Sequence, residues 1–186
     1  MAMPAQSISQ LVTAEELPRL HVPGKTEELV RGHLVVREPP GTRHGAVAAR
    51  LTYLIADHVY RHDLGVMCSQ DTGFKIESNP DTVRAPDVAF VSHARAGQIP
   101  ARGYAPFAPD LVVEIVSPDD RPGEGLAKVG QWLDAGVTLV WVIDPLRREA
   151  RAYGSDGALT LVSAEGELRG EPVLPGFVFT LADALR

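Results

Sequence analysis

Two carboxylates stand inside apolar runs that should exclude them. Asp87 opens Pro86-Asp87-Val88-Ala89-Phe90-Val91, and Glu114 sits in the middle of Leu111-Val112-Val113-Glu114-Ile115-Val116. Each run has the length and composition of a strand buried on both faces. An ionised carboxylate in such surroundings is costly unless a cation meets it. Glu114 follows Asp87 by 27 residues, enough for the two strands to pair side by side and aim both carboxylates at one divalent cation. Mg²⁺ is the natural guest, because it takes oxygen ligands and keeps waters for chemistry; Mn²⁺ is the expected substitute. Strand side chains repeat every two residues, so position 116 shares the face of Glu114, and it is a valine. Lys128, 14 residues beyond Glu114 on a following helix, is the cation that can swing to the same spot and position or polarise a water.

Other residues carry weaker signals. His44, near a helix start, can meet a phosphate or act as a base, though a surface histidine has the same sequence pattern. Gln70 precedes the Asp87 strand and can touch a metal-bound water. Asp144 before Pro145 reads as a turn former, and Asp119-Asp120-Arg121 as a solvated loop. The single cysteine, Cys68, excludes an internal disulfide and reads as core. Of the six histidines only His58 and His62 stand at an i,i+4 spacing, and zinc is not expected. Glycine-rich nucleotide fingerprints and a G-x-S-x-G elbow are both missing.

The surrounding elements must position Asp87, Glu114 and Lys128. Residues 1–12 read as a flexible tail and 13–186 as a single domain. Thr13 and Glu16 form a capping box for a short helix to about Leu20. Glu27 to Val30 and His33 to Glu38, joined at Arg31-Gly32, form a hairpin. A long helix starts at Thr42, and its Val47, Leu51, Leu54, Ile55, His58 and Val59 face one way through about residue 62. Short strands follow at 66–69 and 74–77. Residues 92–109, rich in Gly and Pro, read as a long loop or lid. Leu126, Val129, Trp132 and Leu133 stripe a helix over 124–135, and strands near 138–143, 148–153, 158–163 and 177–180 precede a last helical turn at 181–185.

Composition fits one ordinary globular domain: 186 residues, 45% hydrophobic and 23% charged. No apolar run approaches the roughly 18 residues of a membrane span, and residues 1–10 lack the pattern of a signal peptide. A cytoplasmic protein with no membrane partner is expected. The net charge of −6 argues against a nonspecific nucleic-acid coat but leaves room for a local basic groove.

Taken together, Pro86-Asp87 followed by Glu114 resembles the PD-(D/E)XK nuclease superfamily. More closely, the chain resembles the Uma family of small bacterial endonuclease-like proteins. The likeness runs from Glu28-Leu29-Val30-Arg31-Gly32-His33-Leu34 through His44, Pro86-Asp87-Val88, Pro109-Asp110-Leu111 to Ser117-Pro118 and Lys128. It continues to Ala135-Gly136-Val137 and Trp141-Val142-Ile143-Asp144-Pro145, and spans about residues 13–180. The resemblance implies an α/β, restriction-endonuclease-like fold: a mixed central sheet flanked by helices, with additional strands at both ends. It implies Mg²⁺-dependent hydrolysis of phosphodiester bonds in nucleic acid, with DNA the expected substrate. Asp87 and Glu114 would hold the metal, with Glu28 as a third acid, and Lys128 would replace the lysine that the superfamily carries two residues after its glutamate. The alternative is a catalytically inactive module that binds nucleic acid or protein on the same fold. A homodimer would suit an enzyme that cuts both strands.

Overall fold

The computed structural model describes residues 11–118 and 120–186, so residues 1–10 of the expected tail and Asp119 lie outside it. Six strands form the main sheet: β3 (Gly65–Cys68), β6 (Val88–Ser92), β7 (Leu111–Ile115), β8 (Leu139–Asp144), β9 (Glu149–Gly154) and β10 (Leu159–Ser163). Their order is β10-β9-β8-β7-β6-β3, with β7 and β8 parallel and every other pair antiparallel. A second sheet, ordered β2-β1-β5-β4, uses β1 (Thr26–Val30), β2 (His33–Arg37), β4 (Phe74–Glu77) and β5 (Thr82–Arg84). Near the C-terminal end, β11 (Glu167–Arg169) and β12 (Val178–Thr180) pair by themselves. The mixed sheet with added strands before and after it is the architecture the sequence led us to expect.

Alternation along the strands sorts the core into two layers. Val88, Phe90, Leu111, Val113, Ile115, Trp141 and Ile143 face α1 (Thr42–Arg61), which buries Val47, Ala48, Leu51, Ile55 and Val59 against them. Ala89, Val91, Val112 and Val140 face the other way, onto Val129 and Trp132 of α3 (Pro122–Asp134). By the same alternation Asp87 and Glu114 belong to the α3 face.

Several elements depart from expectation. The capping box at Thr13 forms, with Glu16 accepting from the Thr13 N–H at 2.9 Å, but only a 3-10 turn at Leu17–Arg19 follows. Pro18 has no N–H to continue the ladder. Val12 donates to the Gly32 carbonyl at 2.9 Å, so this part of the expected tail rests on the hairpin. The 92–109 segment is pinned rather than lid-like. It contains a short helix, α2 (His93–Ala96), buries Ala105 and Ala108, and joins Arg95 to Asp110 at 3.2 Å. Leu126 is 62% exposed instead of inward, because α3 only reaches the sheet from about Lys128 onward. Strands β5 and β11, three residues each, were not foreseen.

Leu51 is fully buried where α1 crosses the sheet. Leu51→Ala should therefore lower stability by about 2–5 kcal/mol, read as a shift in the urea unfolding midpoint.

Candidate active site

Strands β6 and β7 bring the two carboxylates together. Their register ends on the rung that pairs Val88 with Val113; Asp87 stands in a bend just before β6, and Glu114 is one residue beyond that rung on β7. Like charges so placed repel, and Asp87 is among the groups that raise the Glu114 carboxyl. Pro86 has no N–H for the ladder, and Asp87 fills in. Its Oδ2 accepts the Ile115 N–H at 2.7 Å, which fixes the carboxylate at the end of the sheet.

Lys128 meets Glu114 from α3. Its Nζ donates to Glu114 Oε2 at 2.9 Å and to the Ala85 carbonyl at 3.2 Å, and stands 3.3 Å from Glu28 Oε1. Of its three protons, two are donated in hydrogen bonds, and Glu28 is the nearest carboxylate to the third. Trp132, one helical turn beyond Lys128, donates its Nε1–H to Glu114 Oε1 at 2.7 Å. Both Glu114 oxygens are thus held before any ligand arrives.

Glu28 takes a different place from the expected third metal ligand. Its side chain is 5% exposed and saturated: Oε1 accepts the Ala85 N–H at 2.9 Å, and Oε2 accepts from Arg84 at 2.8 Å, with Arg37 3.6 Å away. Gln131 in turn receives Arg84 at 2.6 and 2.9 Å. Glu28 is the anchor of Lys128 and Arg84, one layer behind the carboxylate pair.

His44 and Gln70 complete the other side. His44 Nε2 lies 3.0 Å from the Ile115 carbonyl and 3.3 Å from Asp87 Oδ2. Since a carbonyl only accepts, Nε2 carries a proton. Gln70 Nε2 is 3.3 Å from both His44 Nδ1 and Asp87 Oδ1. All six residues singled out from the sequence therefore meet here. The Trp132, Arg84, Gln131 and Ile115 contributions were not anticipated. Trp132 was legible from its i+4 spacing to Lys128; Arg84 depended on an unforeseen strand.

The electrostatics follow from this packing. Burial drives the Glu114 carboxyl upward, Lys128 opposes, and Asp87 and Glu28 add to the rise; the result is about 7. Burial pushes the Lys128 ammonium down, but Glu114 and Glu28 outweigh it and hold its pKa above the ordinary lysine value. Burial likewise lowers His44, and Asp87 more than restores it, so its imidazole is raised. Burial raises Glu28, yet Lys128 and Arg84 keep its carboxyl below the usual glutamate range.

Among the described residues, no three His, Cys, Asp or Glu side chains gather into a metal cluster. A cation taking oxygen ligands would draw on Asp87, Glu114 and the Ile115 carbonyl. Glu114 near neutrality marks a spot where added positive charge is favourable, and the His44 N–H already bridges Asp87 and that carbonyl. The donor chemistry fits Mg²⁺, which needs few protein ligands.

The Glu28 carboxyl is depressed on folding, so the stability it contributes is present above its unfolded value and lost as pH falls through the folded one. Glu28→Ala should cost about 3–5 kcal/mol at neutral pH, since it strands two buried cations. Glu28→Gln should also flatten the acid limb of urea-derived stability against pH.

Residues 14–182 match the model of the Uma2 family, described as "Putative restriction endonuclease". No curated protein matches the chain. A crystal structure described as "a putative nuclease belonging to DUF820", from Anabaena variabilis ATCC 29413, superposes with a TM-score of 0.79 at 17% identity. That match covers 94% of this chain and 97% of the other. The likeness establishes the restriction-endonuclease-like fold, and no described helix is long and apolar enough to cross a membrane. The family match, over most of the length, gives the identity: this chain belongs to the Uma2 family of nuclease-like proteins.

Proposed function

We propose that the chain is a Mg²⁺-dependent endonuclease that hydrolyses phosphodiester bonds, with Asp87 and Glu114 holding the metal. One observation carries this reading: the two carboxylates lie close together at a sheet end, with Lys128 bonded to Glu114. Bound there, Mg²⁺ would supply a polarised water and offset charge on the phosphate.

The chain's own residues have separable roles in this reading. Lys128 stays protonated, so it does not act as a base at neutral pH; it holds Glu114 and supplies positive potential where charge develops on the phosphate. Releasing its longer contact, to Ala85 or Glu28, would free one N–H for a phosphate oxygen or the attacking water. His44 and Gln70 fix the Asp87 rotamer. In hydrolysis the water oxygen bonds to phosphorus as the bond from phosphorus to one sugar oxygen breaks; the water gives one proton to solvent, and the leaving sugar oxygen takes one up from solvent.

Arginines at the rim support an anionic substrate, with Arg147 3.7 Å from Asp144 and Arg121 3.7 Å from Glu124. Because β7 and β8 run parallel, their C-terminal ends lie together, with Val116 donating to the Ile143 carbonyl at 2.8 Å. The turn after β8 carries Arg147, 66% exposed, and Arg148; Arg43 joins it by donating to the Pro145 carbonyl at 2.8 Å. Arg121, 85% exposed, stands before α3 at the same end. DNA is the substrate proposed first, and a homodimer would place two such sites on one duplex.

The second reading, a catalytically silent binding module, is favoured by one observation: Lys128 already donates to Glu114 and the Ala85 carbonyl and has Glu28 3.3 Å away. Calorimetry separates the two. Mg²⁺ or Mn²⁺ should bind, with affinity rising as pH passes upward through about 7, since the cation displaces a proton from Glu114. Absence of binding with folded protein supports the module. In a cleavage assay on plasmid, linear duplex, single strand and structured RNA, Asp87→Ala and Lys128→Ala should each lower the rate about 100-fold or more. Unchanged metal-dependent cleavage in both variants would refute the site.

A further inference from the structure

We propose that an open groove along α1 takes one unpaired nucleotide of the substrate strand, beside the scissile phosphate, with its base against Tyr53. This rests on the nuclease reading and adds the form of the substrate to it. The groove is walled by Gly45, Ala49, Thr52 and Tyr53 on α1 and by Ser69 and Gln70 across from it, and has a volume of about 430 Å³. That suits one small ligand or nucleoside rather than a stack of base pairs.

Continuity with the site is the first argument. Gln70 lines the groove and also lies 3.3 Å from Asp87 Oδ1, so a strand whose phosphate reaches Asp87 has its neighbouring sugar and base at the groove mouth. Chemistry is the second. Tyr53 is 60% exposed on a helix whose Leu51 and Ile55 are fully buried, and sequence-tolerant stacking on such a ring is how single strands are held. The Arg50 guanidinium lies over the Tyr53 ring, 5.8 Å from its centroid, and is tethered by an Nε–H donated to the Asp183 carbonyl at 3.2 Å. A base would therefore stack on the other face of the ring, with a cation behind it. Small residues on the α1 wall leave room for a flat ring. Thr52 donates its hydroxyl proton to the Ala48 carbonyl at 2.8 Å, which leaves the oxygen as an acceptor toward a base edge.

A paired base keeps both faces stacked inside the duplex and cannot lie on Tyr53. The substrate class is therefore a single strand, or a duplex locally unpaired at the cleavage point.

Binding without divalent cation tests this independently of cleavage. Fluorescence anisotropy would compare a labelled short single strand, its abasic-backbone counterpart and the matching duplex, in EDTA. The wild-type chain should favour the base-bearing single strand. Tyr53→Ala should weaken that interaction about tenfold, leave duplex and abasic affinities unchanged, and be rescued by Tyr53→Phe. Equal weakening on all three probes, or no change on the single strand, overturns the proposal. A wild type that binds in this way yet never cleaves would sink the nuclease reading alone; cleavage that needs Asp87 but ignores Tyr53→Ala on single strands would sink the groove alone.

Discussion

Lys128 lies between Glu114 of the main sheet and Glu28 of the second sheet, and is itself carried by α3. One ammonium therefore meets three elements at a single point, reinforced by the Trp132–Glu114 and Arg84–Gln131 hydrogen bonds, and the placement of Glu114 depends on it. The arrangement is electrostatically uneven. Glu28 receives Arg84, Arg37 and Lys128, while Asp87 and Glu114 share what remains. Buried ionic clusters of this kind are weak sources of net stability, since desolvation offsets most of the attraction. A structure that retains one with a like-charged pair at its open end is giving up stability at a place where a cation can restore it.

The end of the sheet decides what can reach that pair. Pro86 stops the β6 ladder, and the Asp87 carboxylate takes over its next hydrogen bond. The Ile115 carbonyl is left to His44 rather than to a neighbouring strand. A backbone oxygen and a carboxylate oxygen thus face one imidazole N–H across a gap open on one side. Gln70, bonded to both His44 and Asp87, keeps the two groups in register, so the order of this side depends on the first turn of α1 and on the chain just after β3.

Much of this was legible in the sequence. Burial cost identified Asp87 and Glu114, because a charge in a valine run has no inexpensive explanation, and the spacing allowed for strand pairing. What the sequence hid was which partner each charge would find. Glu28 resembles Asp87 and Glu114 as a residue type, yet its neighbours Arg84 and Ala85 lie at the end of, and just after, a three-residue strand too short to leave a periodic signal. Leu126 misled for a related reason: its spacing to Val129 is helical, but periodicity says nothing about where a helix overhangs its sheet. The 92–109 segment looked free because glycine and proline punctuate it. Its order comes from long-range contacts, Lys75 to Ala105 and Arg95 to Asp110, that local composition does not encode.

The net charge of −6 and the nucleic-acid reading conflict only when charge is treated as a property of the whole molecule. At physiological ionic strength, fields between exposed groups decay over about 8 Å, less than two strand spacings of about 4.8 Å. A phosphate at the end of β7 is therefore governed by what lies next to it: Arg43 and the turn after β8 on one side, Lys128 below, and the buried carboxylates in front. In the nuclease reading those carboxylates would repel a phosphate until a divalent cation offset their charge. The scissile phosphate would then depend on the metal, while a base held in the α1 groove would not, so the two contributions to substrate affinity are separable.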